Sequence, residues 1–356
     1  MIFVGCALAL FASGCVHPTI GPHSVPRDRA LYSVSLADSW KEQTLLNIVK
    51  MRYIDPPVFL DIGSIVSSYS LVQSASVGGT IIPGGGSSVP LGGAGTFSNS
   101  PTITYTPLTG NAYIKGLLTP LSPTLVFSAI QNGAPADALL LSSLQSINGL
   151  KNQQATWNGI TPADPDFYRV LTLLHQVQLS GVVREYVKVD SASQQTQTSI
   201  LSLRVRDISP EVQAEELELR TLLHLNLQAT EFTLVYGPSP ANDTEIAVLT
   251  RSIVGLIVNL ASQVEVPAED LTEHRAFPGF DVNRNLPGVI PLMSIHSSKR
   301  KPGDSFVAIY YRHSWFWIED GDLASKRMFA QLMQLFAMAD TGTTQESLPV
   351  VTIPAH

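Results

Sequence analysis

From Ile62 to Ile114 the chain carries no Asp, Glu, Lys or Arg. At the chain-wide 14% charged, a stretch of that length would hold about 7 such residues. Depletion on this scale accompanies burial, a membrane or a low-complexity loop. The residues alternate with a period of two. Tyr69, Leu71, Gln73, Ala75, Val77, Gly79 and Ile81 share one face of the first limb, opposite Ser68, Ser70, Val72, Ser74, Ser76, Gly78 and Thr80. In the second limb, Phe97, Asn99, Pro101, Ile103 and Tyr105 oppose Thr96, Ser98, Ser100, Thr102, Thr104 and Thr106. Between them lie Pro83-Gly84-Gly85-Gly86-Ser87-Ser88 and Pro90-Leu91-Gly92-Gly93-Ala94-Gly95. Alternation on both sides of a Gly/Pro-rich connection predicts a long β-hairpin over 62–107.

The chain has 356 residues, enough for one large or two modest domains with a sizeable core. Its net charge of −7 argues against a nucleic-acid partner, which requires a basic surface. The basic triplet Lys299-Arg300-Lys301 precedes Pro302-Gly303 and reads as a solvated turn.

The N-terminus points to a compartment. Met1 to Ala12 is almost wholly apolar, too short to span a bilayer as a helix but suited to the hydrophobic region of a signal peptide. Ala12-Ser13-Gly14-Cys15 follows and resembles the lipobox of bacterial lipoproteins. The resemblance covers only the first 15 residues. It implies cleavage before Cys15, acylation of that cysteine and, with Val16 rather than Asp next, sorting to the outer membrane. Cys6 would leave with the signal peptide, so the mature chain would hold no disulfide and no free thiol.

The predicted organisation is a signal peptide at 1–14, a Pro-rich tether at 15–30, a helical region at 31–150 with the hairpin inserted, and an α+β domain at 167–356. The fold class is α+β, an antiparallel sheet with packed helices. Ser39 and Glu42 form a capping box for a helix that Asp55-Pro56-Pro57 ends. Helices are expected at 113–118, 123–131 and 136–147, and 151–166 reads as a linker. Phe167–Leu179 has helical spacing, Ser209-Pro210-Glu211 opens another helix, and 182–189, 199–206 and 231–236 read as strands. Asn242 and Glu245 suggest a capping box before the stripe Ile246, Leu249, Ile253, Leu256, Ile257 and Leu260. Two aromatic strands fill 306–318, Asp322 caps a last long helix, and 350–353 reads as a final strand.

Catalytic signatures are missing: there is no His-Glu-x-x-His, no paired-cysteine motif, no phosphate-binding loop and no Gly-x-Ser-x-Gly. No cofactor or metal is expected. Glu319-Asp320-Gly321-Asp322 reads as a turn and helix cap; His274, His296 and His313 read as ordinary histidines. Tyr310, Tyr311, Trp315, Phe316 and Trp317 read as half core, with a sugar-stacking platform as the other possibility.

Three function classes follow. The first is a non-enzymatic outer-membrane lipoprotein, lipid-anchored and periplasm-facing, that scaffolds or helps assemble an envelope complex. The second is a secretion-pore subunit whose hairpin adds strands to a shared barrel. The pattern is similar to that of curli-type secretion lipoproteins, by analogy only. Tyr69, Leu71, Val77, Ile81, Phe97, Ile103 and Tyr105 are the residues expected to meet membrane or partner. The third is an envelope enzyme acting on glycan or peptidoglycan. Metabolic labelling with an alkyne palmitate should tag the wild-type chain, and Cys15→Ala should abolish the tag.

Overall fold

A computed structural model of the chain describes residues 25–66, 69–77, 91–99, 102–156, 159–181, 183–189, 197–203, 209–280 and 286–339. Its contacts separate into two compact units. One holds the described residues up to Trp40 and Phe59–Pro107; the other holds Lys41–Val58 and everything described from Leu108 onward.

The fold is α+β. Helix α1 spans Val25–Arg52. Residues 25–30, read from sequence as tether, are therefore its first turns, and Ser39 and Glu42 lie in its interior. Pro26 is tolerated there because a helix does not use its first N–H groups, and no Gly or Pro interrupts 27–38. Thr44, Leu45, Asn47, Ile48, Val49 and Arg52 are the buried positions. The helix ends in a Schellman arrangement: Ile54 N–H donates to the Met51 carbonyl (3.1 Å) and Asp55 N–H to that of Lys50 (2.9 Å). Ile54 takes the left-handed conformation (φ 60°) that Gly usually occupies. After Pro56-Pro57, the Asn47 side chain clamps the returning chain, donating to the Val58 carbonyl (2.9 Å) and accepting from its N–H (3.0 Å).

In the first unit, β1 (Leu60–Val66), β2 (Tyr69–Val77), β3 (Leu91–Asn99) and β4 (Thr102–Pro107) pair as β1–β4 and β2–β3, both antiparallel. The second unit continues with α2 (Gly110–Tyr113), a π-turn at Ile114–Leu118, α3 (Pro123–Gln131) and α4 (Ala136–Ser143). Strands β5 (Leu144–Ile147) and β6 (Leu150–Lys151), the small pair β7 (Gln154–Thr156) and β8 (Gly159–Thr161), and helix α5 (Pro165–Leu179) follow. Then come β9 (Val183–Val189), β10 (Gln197–Leu203), α6 (Pro210–Leu222), β11 (Glu231–Tyr236), β12 (Glu245–Thr250), α7 (Ile253–Ala261) and α8 (Ala268–Thr272). The last elements are β13 (His296–Ser298), β14 (Val307–Tyr311), β15 (Ser314–Ile318) and α9 (Leu323–Ala339).

The large sheet has the order β6-β5-β12-β11-β10-β9, antiparallel except for the parallel pair β11–β12. Helix α3 packs over β9, β11 and β12, and α5 packs against α4 and α6. A second sheet runs β13-β15-β14.

Three further elements differ from the sequence expectation. The stripe from Ile246 to Leu260 is a strand followed by a helix. Ile246, Ala247 and Val248 are buried in succession, as in a central strand covered on both faces. Asn242 and Glu245 do bond each other (3.1 Å), but in the turn that launches β12. The helix expected over 136–147 stops at Ser143, where β12 recruits Leu144–Ile147 as a neighbour.

The expected linker at 151–166 contains β7 and β8 among its described residues, and two of its polar side chains, Asn152 and Gln153, are buried and paired. The Asn152 side chain donates to the Leu141 (2.7 Å) and Leu144 (2.8 Å) carbonyls, and Gln153 donates to that of Ile290 (2.8 Å). Arg251, only 3% exposed, donates to the carbonyls of Leu141 (3.3 Å), Ser142 (2.8 Å) and Gln153 (2.5 Å). Burial pushes its guanidinium down to about 10, still cationic at neutral pH. The expected strand at 350–353 and residues 204–206 lie outside the described residues.

Arg251→Met leaves the Ser142 and Gln153 carbonyls without this donor, while that of Leu141 keeps Asn152. At about 1–3 kcal/mol for each unpaired group, urea unfolding should show a loss of about 2 kcal/mol or more.

Candidate functional site

The two strand pairs of the first unit, together termed the ribbon, keep one register. Paired residue numbers add to 168 at Val66↔Thr102 and again at Tyr69↔Asn99, and they still do so at Val77↔Leu91. The register is thus the same on both sides of 67–68 and 100–101. It breaks once, between Ile62↔Tyr105 and Ser64↔Thr104, where Gly63 forms a bulge.

The bulge sets the phase of the faces. A one-residue insertion moves every position beyond it to the opposite face. Leu60 and Ile62 consequently share a face with Ile65, Tyr69, Leu71, Ala75, Val77, Leu91, Phe97, Ile103 and Tyr105, and with the polar Gln73 and Asn99. The other face holds Asp61, Ser64, Ser70, Ser74, Ser76, Thr96, Ser98, Thr102, Thr104 and Thr106, together with Val66 and Val72. Without the bulge, Leu60 and Ile62 would fall among the hydroxyls and Asp61 among the apolar positions. Leu71↔Phe97, Ile65↔Ile103 and Ile62↔Tyr105 are cross-strand partners on the apolar face. At its described positions that face is open to solvent: Leu60 is 37%, Ile103 39% and Tyr105 52% exposed. Among the described residues, neither limb pairs with a further strand.

By backbone register, Tyr69, Leu71, Val77, Phe97, Ile103 and Tyr105 occupy positions of the same face. Ile81 and Cys15 lie outside the described residues. Gly63 carries no motif, and sequence reasoning missed it. The available signal was the phase conflict between Ile62 and the alternation from Tyr69 onward.

The second unit contains several polar clusters. Tyr53 at the end of α1 donates to Asp270 (2.7 Å), and both burial and that carboxylate raise its pKa. Tyr311 donates to Asp55, which also accepts from Arg312 (3.0 Å). The Arg312 guanidinium lies 5.0 Å from the Tyr53 ring centroid, and Tyr311 packs edge-on to that ring at 5.7 Å. This network joins the α1 terminus to the β14–β15 turn, where Arg312 and His313 both have positive φ.

Two cavities open on the same unit. One, of about 460 Å³, is lined by Phe127, Ile130, His175, Gln178, Leu179 and Leu201. Gln178 is committed to capping: it donates to the carbonyls of Ile130 and Ala134 (2.8 Å each) and accepts from Ala136 N–H (3.0 Å). The other, of about 450 Å³, includes Gln263, Glu265, Phe280, Met293 and Ser294. His296 Nδ1 sits 3.2 Å from Glu265, but the Ser325 hydroxyl beyond it is already engaged, donating to Asp322 (2.5 Å) and accepting from Ser294 N–H (2.7 Å). Among the described residues no three His, Cys, Asp or Glu side chains gather as a metal-holding group.

Of the aromatic cluster, Phe316 is fully buried, whereas Tyr310 is 56% exposed and packs 5.4 Å from Trp315. Asp322 caps α9 through Ser325 N–H (3.0 Å). His274 takes a positive φ after α8.

No protein-family model, curated protein or solved structure matches this chain.

Burial raises the Asp55 pKa, but the hydrogen bonds from Tyr311 and Arg312 outweigh it and hold the carboxyl below its ordinary value of 3.8. A depressed folded pKa stabilises above the unfolded value, and that stabilisation is lost as pH falls through the folded value. Denaturant titrations below pH 4 should show wild type losing stability more steeply than Asp55→Asn.

Proposed function

We propose that this chain is a non-enzymatic lipoprotein of the bacterial outer membrane. It is anchored through Cys15, faces the periplasm, and acts as an assembly component of an envelope complex. The ribbon is its interaction element. One observation carries this reading: a two-stranded, bulge-phased ribbon with an apolar face, no charge from Ile62 onward and both edges unpaired among the described residues.

Such a ribbon is marginal alone in water, because two strands bury too little apolar surface and leave half their backbone groups to solvent. It calls for an occupant. The body supplies a folded core with its own sheet and a committed set of polar contacts, consistent with a rigid carrier. The apolar segment at 1–12 and the lipobox-like 12–15 support export and anchoring.

Replacing 64–104 by a short Gly/Ser loop should leave the body folded and membrane-associated. The high-mass species on native gels of solubilised envelopes should disappear. An unchanged high-mass species would overturn the role of the ribbon, and a reproducible hydrolase activity lost on one point mutation would overturn the non-enzymatic reading.

A further inference from the structure

We infer that the occupant of the ribbon is a second copy of the same ribbon. Copies join edge to edge until they close a transmembrane β-barrel, each contributing two antiparallel strands. This rests on the reading of the ribbon as the interaction element and names its partner.

The chain itself provides the contrast that selects this occupant. Among the described residues, the large sheet of the body also ends in open edges, at β9 and β6. Strand β9 carries Arg184, Glu185 and Lys188, and β6 is only two residues long and contains Lys151. Charge and brevity are the usual means of keeping a sheet edge in water from pairing. The ribbon has neither: β2 and β3 are nine residues each and uncharged. The other uncharged edges among the described residues, at β14 and in the β7–β8 pair, run five residues or fewer, so those of the ribbon are the longest uncharged edges and the best fitted to pair.

The pairing partner follows from geometry. The outer edge of limb 60–77 and that of limb 91–107 run antiparallel to each other, as they do within the ribbon. The first limb of one copy can therefore pair with the second limb of the next, repeating the internal ladder. Because the side-chain period is two, the faces then coincide from copy to copy, apolar beside apolar and Ser/Thr beside Ser/Thr. Two-fold pairing of like limbs would satisfy one edge and leave the other open. Head-to-tail pairing satisfies both once the ring closes.

A closed ring turns one face outward and one inward. The outward face would be the one with Leu71, Val77, Ile103 and the aromatics Tyr69, Phe97 and Tyr105, with Gln73 and Asn99 as its uncharged polar positions; the lumen would be lined mainly by hydroxyls, with Val66 and Val72 among them. Only a closed barrel lets strands occupy lipid, because only then is every backbone group paired. A spanning strand needs about 9–11 residues, which β2 and β3 nearly supply alone and the full limbs exceed. The Gly63 bulge keeps Leu60 and Ile62 on the lipid side and turns Asp61 to the water side. Bulges concentrate at barrel rims for this purpose.

The test uses the full-length protein extracted in mild detergent. Its particle mass is measured, and dye release is followed from vesicles of phosphatidylethanolamine and phosphatidylglycerol. Wild type should give closed rings of many copies and release dye. Leu71→Asp places a carboxylate on the lipid side and should cut release about tenfold or more. Ser74→Asp, on the lumen side, should keep both rings and release. Deleting Gly63 should abolish release by inverting the phase of Leu60 and Ile62. Because the ribbon is a separate unit, the urea midpoint of the body should be unchanged in all three variants.

A wild-type monomer or dimer, or Leu71→Asp releasing dye like wild type, would overturn the barrel. Palmitate labelling at Cys15 in the same samples separates the two readings. Label retained without rings leaves an anchored assembly protein with another partner; label absent overturns the anchor whatever the rings do.

Discussion

Backbone N–H and C=O groups withdrawn from water must find partners, and this structure is arranged around where they find them. Among the described residues of the body, sheets and helices pair many of them, and buried polar side chains serve others. Arg251 holds three carbonyls where α4, β5 and β7 converge. Gln178 closes the end of α3 and the start of α4. Asn148 donates to the Leu223 carbonyl (2.7 Å) and accepts from Ala247 N–H (2.7 Å), fastening β12 beyond its own ladder. Asn47 does the same for the segment after two prolines. These residues look like candidate site residues by type, yet each is consumed by the backbone.

The ribbon obeys the same rule and meets only half of it. Each limb pairs inward and leaves its outer groups open among the described residues. The chain thus contains two solutions to the edge problem. Edges of the large sheet are short or charged, while those of the ribbon are long and neutral. A membrane-closed ring accommodates the second kind, because there the edge ceases to exist.

Much of the fold was legible from sequence. Alternation around a Gly/Pro connection located the hairpin, and Ser209-Pro210 opened α6 with the Ser209 hydroxyl accepting from Val212 N–H (3.4 Å). Asp322 capped α9. The failures share a cause. Ile246–Val248 has no periodicity that separates a buried strand from a buried helix, and Leu144–Ile147 continues a helical run until a neighbouring strand claims it. The segment 151–166 is polar in composition, and only distant partners show that Asn152 and Gln153 within it are buried. Tyr311 and Asp55 lie 256 positions apart, a separation at which no local pattern signals contact.

The sequence by itself determined that one long stretch avoids charge, alternates and turns back on itself, because side-chain period and turn chemistry are local properties. It also determined the absence of recognised catalytic motifs and the lipobox-like start. The tertiary structure decided how the two limbs pair. Only the register shows that a bulge at Gly63 brings Leu60 and Ile62 into phase with Tyr69 and Leu71. It also decided which polar residues of the body are spent on structure. Register and burial depend on residues far apart in the chain, and those the sequence does not order until the fold brings them together.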